Sequence, residues 1–173
     1  MVAALETRSD CDRCAALCCI AYPSDDMPGF AAQKAAGERC PKLAGNGRCT
    51  IYDHRAEEGF AGCIRYECFG AGQHVVEHFF DGTDWRDDPA LLGPMIDTFL
   101  AMRPVSDLAY LVEKALGATL DADLVEELLN VGGELQQIAQ SRRSLADSAR
   151  IARCEQALRR IYASLDPATL GRA

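Results

Sequence analysis

Apolar residues in the second half of the chain recur at helical spacing. Two successive stripes comprise Leu91, Leu92, Met95, Ile96, Phe99 and Leu100, and then Val105, Leu108, Leu111, Val112, Ala115 and Leu116. Residues three and four apart share one face of an α-helix, so both stripes predict helix. The regular helix should begin at Pro89 or Pro94, and Pro104 should end or kink it. Gly117 suits the position that follows a helix end.

Two further stripes predict an antiparallel helical hairpin. Their apolar members are Leu124, Leu128, Val131, Leu135 and Ile138, and then Ile151, Cys154, Leu158, Ile161 and Leu165. Asp121 is a good N-cap for the first helix, and the polar segment 141–144 separates the two. Acidic residues concentrate on the first helix and arginines on the second, which favours their association.

The first half of the chain is rich in cysteine, glycine and short polar turns. Its pattern predicts a short helix or helical turn within residues 11–21. A small hairpin is expected over residues 43–52, because Gly45-Asn46-Gly47 tolerates positive φ. The apolar run 75–80 is compatible with either a strand or a helix.

These patterns predict a mainly α protein of two regions. Residues 1–85 should form an irregular cysteine-rich metal-binding knot with short elements, and residues 86–173 a helical bundle that ends in the antiparallel hairpin. The knot is expected to pack on the bundle. With 173 residues, 49% of them apolar, the chain can bury a substantial core.

Composition limits the location and the partners that we expect. No apolar run approaches the roughly 20 residues of a membrane span, and the N-terminus lacks an apolar signal core. We therefore expect a cytoplasmic protein with no membrane partner. The net charge of −8 opposes binding to a phosphate backbone, so nucleic acid is not an expected partner.

The cysteines carry the candidate chemistry. Eight of the nine cluster in the first half: Cys11, Cys14, Cys18, Cys19, Cys40, Cys49, Cys63 and Cys68. In a reducing compartment, clustered cysteines hold metal or do redox work more often than they form disulfides. We therefore predict that all eight are metal ligands, with structural disulfides or free buried thiols as the alternative.

Spacing favours a metal but leaves its identity and number open. Two thiolates separated by two residues can reach one ion, as in zinc knuckles and iron–sulfur loops. One such pair is not enough for a four-coordinate site, so later cysteines must join the first ones. The adjacent Cys18 and Cys19 either serve two centres, or one of them packs as a small apolar residue. The metal is zinc or iron, and iron could form a [4Fe–4S] cluster.

The first half of the chain resembles a cysteine-cluster family described as a zinc- or iron-chelating domain. The matching residues are Cys14, Cys18-Cys19, Cys40-Pro41-Lys42-Leu43, Gly47-Arg48-Cys49-Thr50-Ile51-Tyr52, Arg55, Cys63 and Cys68. Arg55-Ala56 stands where the family usually has Arg-Pro. The segments around Gly59-Phe60, Gly62-Cys63 and 68–73 look closer to the cysteine-rich segment of some actinobacterial pentapeptide-repeat proteins, although the repeats are absent here. The resemblance implies zinc or iron binding, and some family members are linked to protein modification with an iron–sulfur cluster.

Other polar and sulfur-containing residues have simpler interpretations. His74 and His78 are four apart and could join a metal site, but packing or surface roles explain them better, as eight thiols already suffice. Cys154 falls on the apolar seam of the last predicted helix and should pack in its core.

Two functions follow from the sequence. The first is a metal-binding module in which zinc or an iron–sulfur centre is structural and supports a protein partner or an accessory role. The second is a redox-active [4Fe–4S] protein that acts as an oxidoreductase or as a component of a protein-modifying enzyme. Metal storage or delivery is a weaker third possibility. The sequence identifies no substrate.

Overall fold

The computed structural model describes residues 5–24, 28–118 and 120–165. Over these ranges the chain is mainly helical and no β-strand is found, which confirms the predicted mainly α class. No helix in the described ranges has the length and apolar character needed to cross a membrane. The chain divides into two compact units. One is Arg8–Leu100, and the other contains the described residues from Ala101 onward together with those up to Thr7.

The Arg8–Leu100 unit is built from short elements joined by turns. In chain order they are α1 (Cys18–Ala21), a 3-10 turn (Tyr52–His54), α2 (Ala61–Arg65), α3 (Ala71–His74), a π-helical turn (Val75–Phe79) and a 3-10 turn (Pro89–Leu91). The predicted helical turn within residues 11–21 is therefore present as α1. The run 75–80, which was compatible with strand or helix, is helical.

The hairpin predicted over residues 43–52 is reduced to a single antiparallel bridge. Leu43 and Cys49 form an isolated antiparallel bridge, and the Ala44 N–H donates to the Arg48 carbonyl at 2.8 Å. Gly47 has a φ of 79°, as the turn requires. The chain then enters a turn and the 3-10 segment at Tyr52, so no return strand forms. What remains is a tight loop that closes on itself beside two cysteines.

The long helix α4 (Leu92–Leu116) begins between its two predicted start points, Pro89 and Pro94, directly after a 3-10 turn that starts at Pro89. The Asp88 carboxylate caps this start by accepting a hydrogen bond from the Ala90 N–H at 3.1 Å. Pro104 does not end α4, which continues through it. Gly117 follows the last helical residue as predicted, and its N–H donates to the Glu113 carbonyl at 3.1 Å.

Three helices follow α4: α5 (Ala122–Ile138), α6 (Arg142–Leu145) and α7 (Ser148–Ser164). Asp121 caps α5 as predicted, with its carboxylate 2.9 Å from the Leu124 N–H. Ion pairs join Glu134 to Arg150 at 2.7 Å and Glu127 to Arg160 at 3.8 Å. Because the earlier residue of α5 pairs with the later residue of α7, the two helices are antiparallel.

A buried apolar seam joins α5 and α7. Its buried members are Leu128, Val131, Leu135, Ile138, Cys154, Leu158 and Ile161. All of them belong to the two stripes that the sequence pattern predicted. The helical hairpin therefore has its own core, and the exposed ion pairs add only about 0.2–1 kcal/mol each.

The Arg8–Leu100 unit has a separate core around its cysteine loops. Ala16, Ile20 and Leu43 form a buried cluster, and the partly buried residues packed against it are Cys19, Cys40, Trp85, Leu92 and Ile96. The Trp85 indole N–H also donates to the Ala15 carbonyl at 2.8 Å. The loops that carry cysteines are thus held around an apolar centre that includes the first turns of α4.

Candidate metal centre

All nine cysteines are free thiols. Cys14, Cys68 and Cys154 are buried, Cys11 is exposed, and the remaining five are half-buried. No covalent bond between cysteines therefore removes a thiol from the candidate site. The thiols are available as ligands wherever the fold brings them together.

The chain around the first cysteines is tied to the chain around the last one. Gln73 is 1% exposed, and its amide oxygen accepts from the Asp10 N–H at 2.9 Å while its amide nitrogen donates to the Arg8 carbonyl at 2.7 Å. The Ser9 hydroxyl lies 2.9 Å from the Cys68 sulfur. A buried glutamine satisfied on both sides fixes the register of two distant segments, because leaving either group unpaired is costly.

Close packing brings Cys14 against helix α3, which directly follows the segment that contains Cys68. A Cβ built on Gly72 would lie 2.7 Å from the Cβ of Cys14, closer than real side chains approach. Gly72 therefore allows helix α3 to pack directly on the Cys14 side chain. The Arg13 guanidinium adds a fork of hydrogen bonds to the Glu77 carboxylate at 2.7 and 2.8 Å.

A second set of contacts joins Cys19 to the loop that contains Cys40 and Cys49. The Cys40 N–H donates to the Cys19 carbonyl at 3.1 Å. The Leu43–Cys49 bridge then brings Cys49 back beside the start of this loop. These backbone contacts join Cys40 to Cys19 and Cys49 to Leu43, and Cys19 and Cys40 both pack on the apolar cluster.

Arg55 connects Cys63 to the end of that loop. Its guanidinium donates to the Cys63 carbonyl at 3.4 Å and to the Tyr52 carbonyl at 2.6 Å, and it lies 3.8 Å from the Tyr52 ring centroid. A planar guanidinium can make these contacts simultaneously, and a lysine cannot. Arg55 thus holds the chain before Cys63 against the chain after Cys49.

Interactions among the thiols show which of them are neighbours in the first group. A hydrogen bond to Cys11, burial and the charges of Cys11 and Cys68 raise the pKa of Cys14. The same hydrogen bond lowers the pKa of Cys11 to about 7. A hydrogen bond with Cys19, burial and the nearby Cys19, Cys14 and Cys68 raise the pKa of Cys18.

The remaining thiols form a second group of neighbours. Burial, followed by the nearby Cys19, Cys40 and Cys49, raises the pKa of Cys63 to about 11. Burial and the same neighbours, Cys19 and Cys49, raise the pKa of Cys40. Cys19 differs, since the hydrogen bond from Cys18 lowers its pKa, although burial and the charge of Cys11 from the first group act to raise it. Thiolates that lie near one another repel, so each acts to raise the pKa of its neighbours.

Two cationic side chains lie beside these sulfurs. The charge of Lys34 lowers the pKa of Cys19 and Cys40, although other effects leave the Cys40 pKa raised. Arg55 acts in the same direction on the pKa of Cys11, Cys19 and Cys63. Positive charge placed here offsets part of the negative charge that a set of thiolates accumulates.

Lys34 was missed in the sequence analysis. Its ammonium group donates to the carbonyls of Ile20 at 3.1 Å, Ala35 at 3.3 Å and Tyr22, and the residue is 9% exposed. The available signal is that Lys34 is the sole charged residue between Asp26 and Glu38. A single charge in an alanine-rich segment does not by itself reveal its partners.

Backbone amides also point at two of the sulfurs. The Ala16 N–H donates to Cys14 and the Lys42 N–H to Cys40, and each contact acts to lower the pKa of its thiol. Both amides come two residues after the cysteine. Ala15 and Ala16 reach this arrangement with φ values of 49° and 56°, which non-glycine residues rarely adopt. Amide hydrogen bonds to sulfur are a feature of thiolate metal centres.

The side chains as they stand do not form a closed coordination sphere. Within residues 5–24, 28–118 and 120–165, no group of three or more His, Cys, Asp or Glu side chains is arranged to hold an ion. The contacts described above relate the eight predicted ligands in pairs and small sets, not around one point. Coordination would require their χ1 angles to turn the sulfurs toward a common point.

His74 and His78 contact each other, and Cys154 lies in the core of the helical hairpin. The rings of His74 and His78 stack at 5.0 Å with an interplanar angle of 23°, and Phe79 packs edge-on against both. Cys154 is buried in the seam of α7, and burial raises the pKa of its thiol. The cysteine is thus a core residue of the hairpin.

Comparison with known proteins finds similarity to a protein of Bacillus subtilis (strain 168) described as the uncharacterized protein YybG. The two are 34% identical over 130 residues, which is 75% of this chain. The match covers 47% of that protein, so this chain spans about half the length of the curated relative. No family model and no solved structure matches the chain. The name of the relative states no function.

Proposed function

We propose that this chain is a cytoplasmic metal-binding module whose clustered thiolates hold zinc or an iron–sulfur centre. The centre is structural, and it fixes the cysteine loops as a knot that supports a protein partner or an accessory role. The proposed ligands remain the eight cysteines of the first half. The proposal includes membership of the cysteine-cluster family that the sequence resembles.

The observation that carries the proposal is that contacts link five separate stretches of chain which together contain eight free thiols. Hydrogen bonds involving Gln73, Ser9, Cys40 and Arg55 bring these stretches together. Amides directed at sulfur and two nearby cations suit thiolates better than protonated thiols. Small metal-binding units are often stabilised by the ion itself.

A partner role is supported by the surface near the last cysteines. Tyr52 is 51% exposed and Ile64, which directly follows Cys63, is 52% exposed. Both stand on short helical elements, and exposed aromatic and aliphatic side chains are found at protein–protein contacts. A metal that orders these loops would also order the two side chains.

The redox-active [4Fe–4S] alternative is favoured by the same amides and cations. Hydrogen bonds to cluster sulfurs and nearby positive charge stabilise a reduced cluster and set its potential. Ala16, Lys42, Lys34 and Arg55 would serve in this way. An iron–sulfur centre supplies electron transfer when bound, and these residues hold its ligands and modulate their charge.

Anaerobic purification followed by elemental analysis tests the proposal. A colourless protein with zinc in fixed stoichiometry supports the structural module. A brown protein that contains iron and acid-labile sulfide supports the cluster. A protein that binds neither metal, even after anaerobic reconstitution, would overturn both forms of the proposal. Exchangeable metal in excess of the thiols' capacity would indicate storage or delivery instead.

Cysteine variants separate ligands from core residues. Cys49→Ser and Cys63→Ser should lower the metal content, because each removes a predicted ligand. Cys154→Ser is the matched control, since it makes the same chemical change in the seam of α7 and should leave the metal content unchanged. Equal metal content in all three variants would contradict the ligand assignment.

A further inference from the structure

We infer that the eight thiolates form two adjoining four-thiolate centres rather than one. The first centre comprises Cys11, Cys14, Cys18 and Cys68, and the second comprises Cys19, Cys40, Cys49 and Cys63. This inference rests on the proposed function and assigns the ligands within it. Spacing alone left the number of centres open.

Contacts between distant segments define the first centre. Ser9 touches the Cys68 sulfur at 2.9 Å, and Gln73 binds the backbone on either side of Ser9. Cys14 packs closely against Gly72: a Cβ built on Gly72 would lie 2.7 Å from the Cβ of Cys14. The Cys14 sulfur also lies 3.5 Å from the Cys11 carbonyl. These contacts bring the first two cysteines to the start of α3, next to the last one.

A different set of contacts defines the second centre. Cys40 donates its N–H to the Cys19 carbonyl, and both residues pack on the Ala16, Ile20 and Leu43 cluster. The bridge from Leu43 adds Cys49. The contacts through Arg55 then add Cys63.

The adjacent pair Cys18-Cys19 divides between the two sets because it lies in a helix. Both residues belong to α1, and successive side chains of an α-helix point about 100° apart. Cys19 faces the apolar cluster with Cys40. Cys18, about 100° further round α1, is therefore directed away from that set, which leaves it with the first set. The two thiols still contact each other, so the two centres adjoin at α1.

The chemistry of each set selects a soft cation. Four thiolates with no nitrogen or oxygen ligand suit zinc or an iron–sulfur cluster, and they disfavour magnesium and calcium. Each centre would join segments that are far apart in sequence. Together they would connect the start, the middle and the end of the Arg8–Leu100 unit.

Cadmium exchange tests the inference on the full chain. Protein purified anaerobically is exchanged into cadmium, and bound metal is counted while cadmium NMR resolves the sites. We expect two ions per chain and two resonances typical of four-sulfur coordination. The double variant Cys14→Ser with Cys68→Ser should lose one resonance, and Cys49→Ser with Cys63→Ser should lose the other. Each of these variants should keep half of the metal.

The crossed double variant, Cys14→Ser with Cys49→Ser, is the control and should weaken both sites. If all the double variants lose all the metal and the wild type shows one site, the two-centre inference is wrong while the proposed function stands. If the wild type binds no metal, both are wrong. The number of cadmium ions per wild-type chain and the number of cadmium resonances distinguish one centre from two even where a variant fails to fold.

Discussion

At the scale of single residues, the cysteines depend on neighbours that carry no metal-binding chemistry. Gly72 makes room for Cys14, Gln73 and Ser9 position the chain beside Cys68, and Arg55 holds Cys63. Each contact uses a property that few other residues share. Gly72 has no Cβ, the Gln73 amide both donates and accepts hydrogen bonds, and the Arg55 guanidinium donates several hydrogen bonds in one plane. The geometry of the candidate site therefore rests on residues outside the ligand set.

Gly72→Ala should disturb the site directly. The added methyl group would lie 2.7 Å from the Cys14 Cβ, so helix α3 or Cys14 must move. We expect a loss of about 1–3 kcal/mol of stability, typical of overpacking, together with lower metal content. Chemical denaturation and elemental analysis measure the two effects.

The matched control for this variant is Gly133→Ala. Gly133 also lies in a helix, but a Cβ there would have no atom within 4 Å. That change should be neutral or stabilise the protein by up to about 1 kcal/mol, because alanine favours helix over glycine. Equal destabilisation in both variants would contradict a specific role for Gly72.

Asp84 should contribute stability that depends on pH. Burial acts to raise its pKa, but hydrogen bonds and charge from Arg86 outweigh burial and leave the pKa lowered from the ordinary 3.8. A carboxylate with a lowered folded pKa stabilises the protein above its unfolded pKa, and this contribution disappears as pH falls through the folded pKa. Denaturation of wild type and Asp84→Asn should therefore differ above pH 3.8 and converge below it. A difference that is constant with pH would contradict this account.

At the scale of elements, the antiparallel pair α5 and α7 is stabilised by its seam. Leu135 is fully buried there, whereas Leu129 of the same helix is 59% exposed. Leu135→Ala should cost about 2–5 kcal/mol through lost burial and a residual cavity. Leu129→Ala is the control and should stay within about 0.5 kcal/mol of wild type. Thermal or urea denaturation compares them, and a similar cost for both would show that the seam is not what holds the hairpin.

The helices could be predicted because their signals are local. Periodic apolar residues, the cap at Asp121 and the glycine after α4 act within one or two turns of chain, so the pattern alone locates them. Pro104 was expected to end or kink α4, and the helix continues through it. A proline removes one amide hydrogen bond, and packing can compensate for that cost.

The cysteine loops were predicted less well because their structure depends on contacts between distant residues. The turn at Gly47 was recognised, but the expected strands were reduced to one bridge. The backbone of Ala15 and Ala16, which aims an amide at Cys14, has no signal in residue type. The sequence therefore identified the candidate ligands, and it could not divide them into sets.

At the scale of the whole molecule, two kinds of stabilisation coexist in one chain. The helical hairpin has an apolar seam of its own, and the Arg8–Leu100 unit combines buried apolar side chains such as Leu17, Val75 and Phe99 with many single hydrogen bonds. Under the proposed function, metal adds to the stability of the Arg8–Leu100 unit alone. The two units should therefore respond differently to metal removal.

Chelation of a metal-loaded sample tests this difference by hydrogen exchange. Amides in the cysteine loops, such as those of Cys40 and Leu43, should lose protection when metal is removed. Amides in the middle of α5 and α7 should keep theirs, because the apolar seam does not involve metal. Unchanged exchange of the loop amides would contradict a structural role for the metal.

The position of Lys34 has a practical consequence. All three N–H donors of its ammonium group are bound to backbone carbonyls. By contrast, Lys114 is exposed, and the Lys42 ammonium group lies near the surface, 2.9 Å from the Glu58 carboxylate. Acylating reagents should therefore modify Lys114 and Lys42 quickly and reach Lys34 only when the surrounding loops open, a difference that peptide mass spectrometry can follow. Rapid acylation of Lys34 in the native protein would contradict this arrangement. The amino group can thus report the integrity of the thiol region through a reaction at a nitrogen that is not one of the proposed ligands.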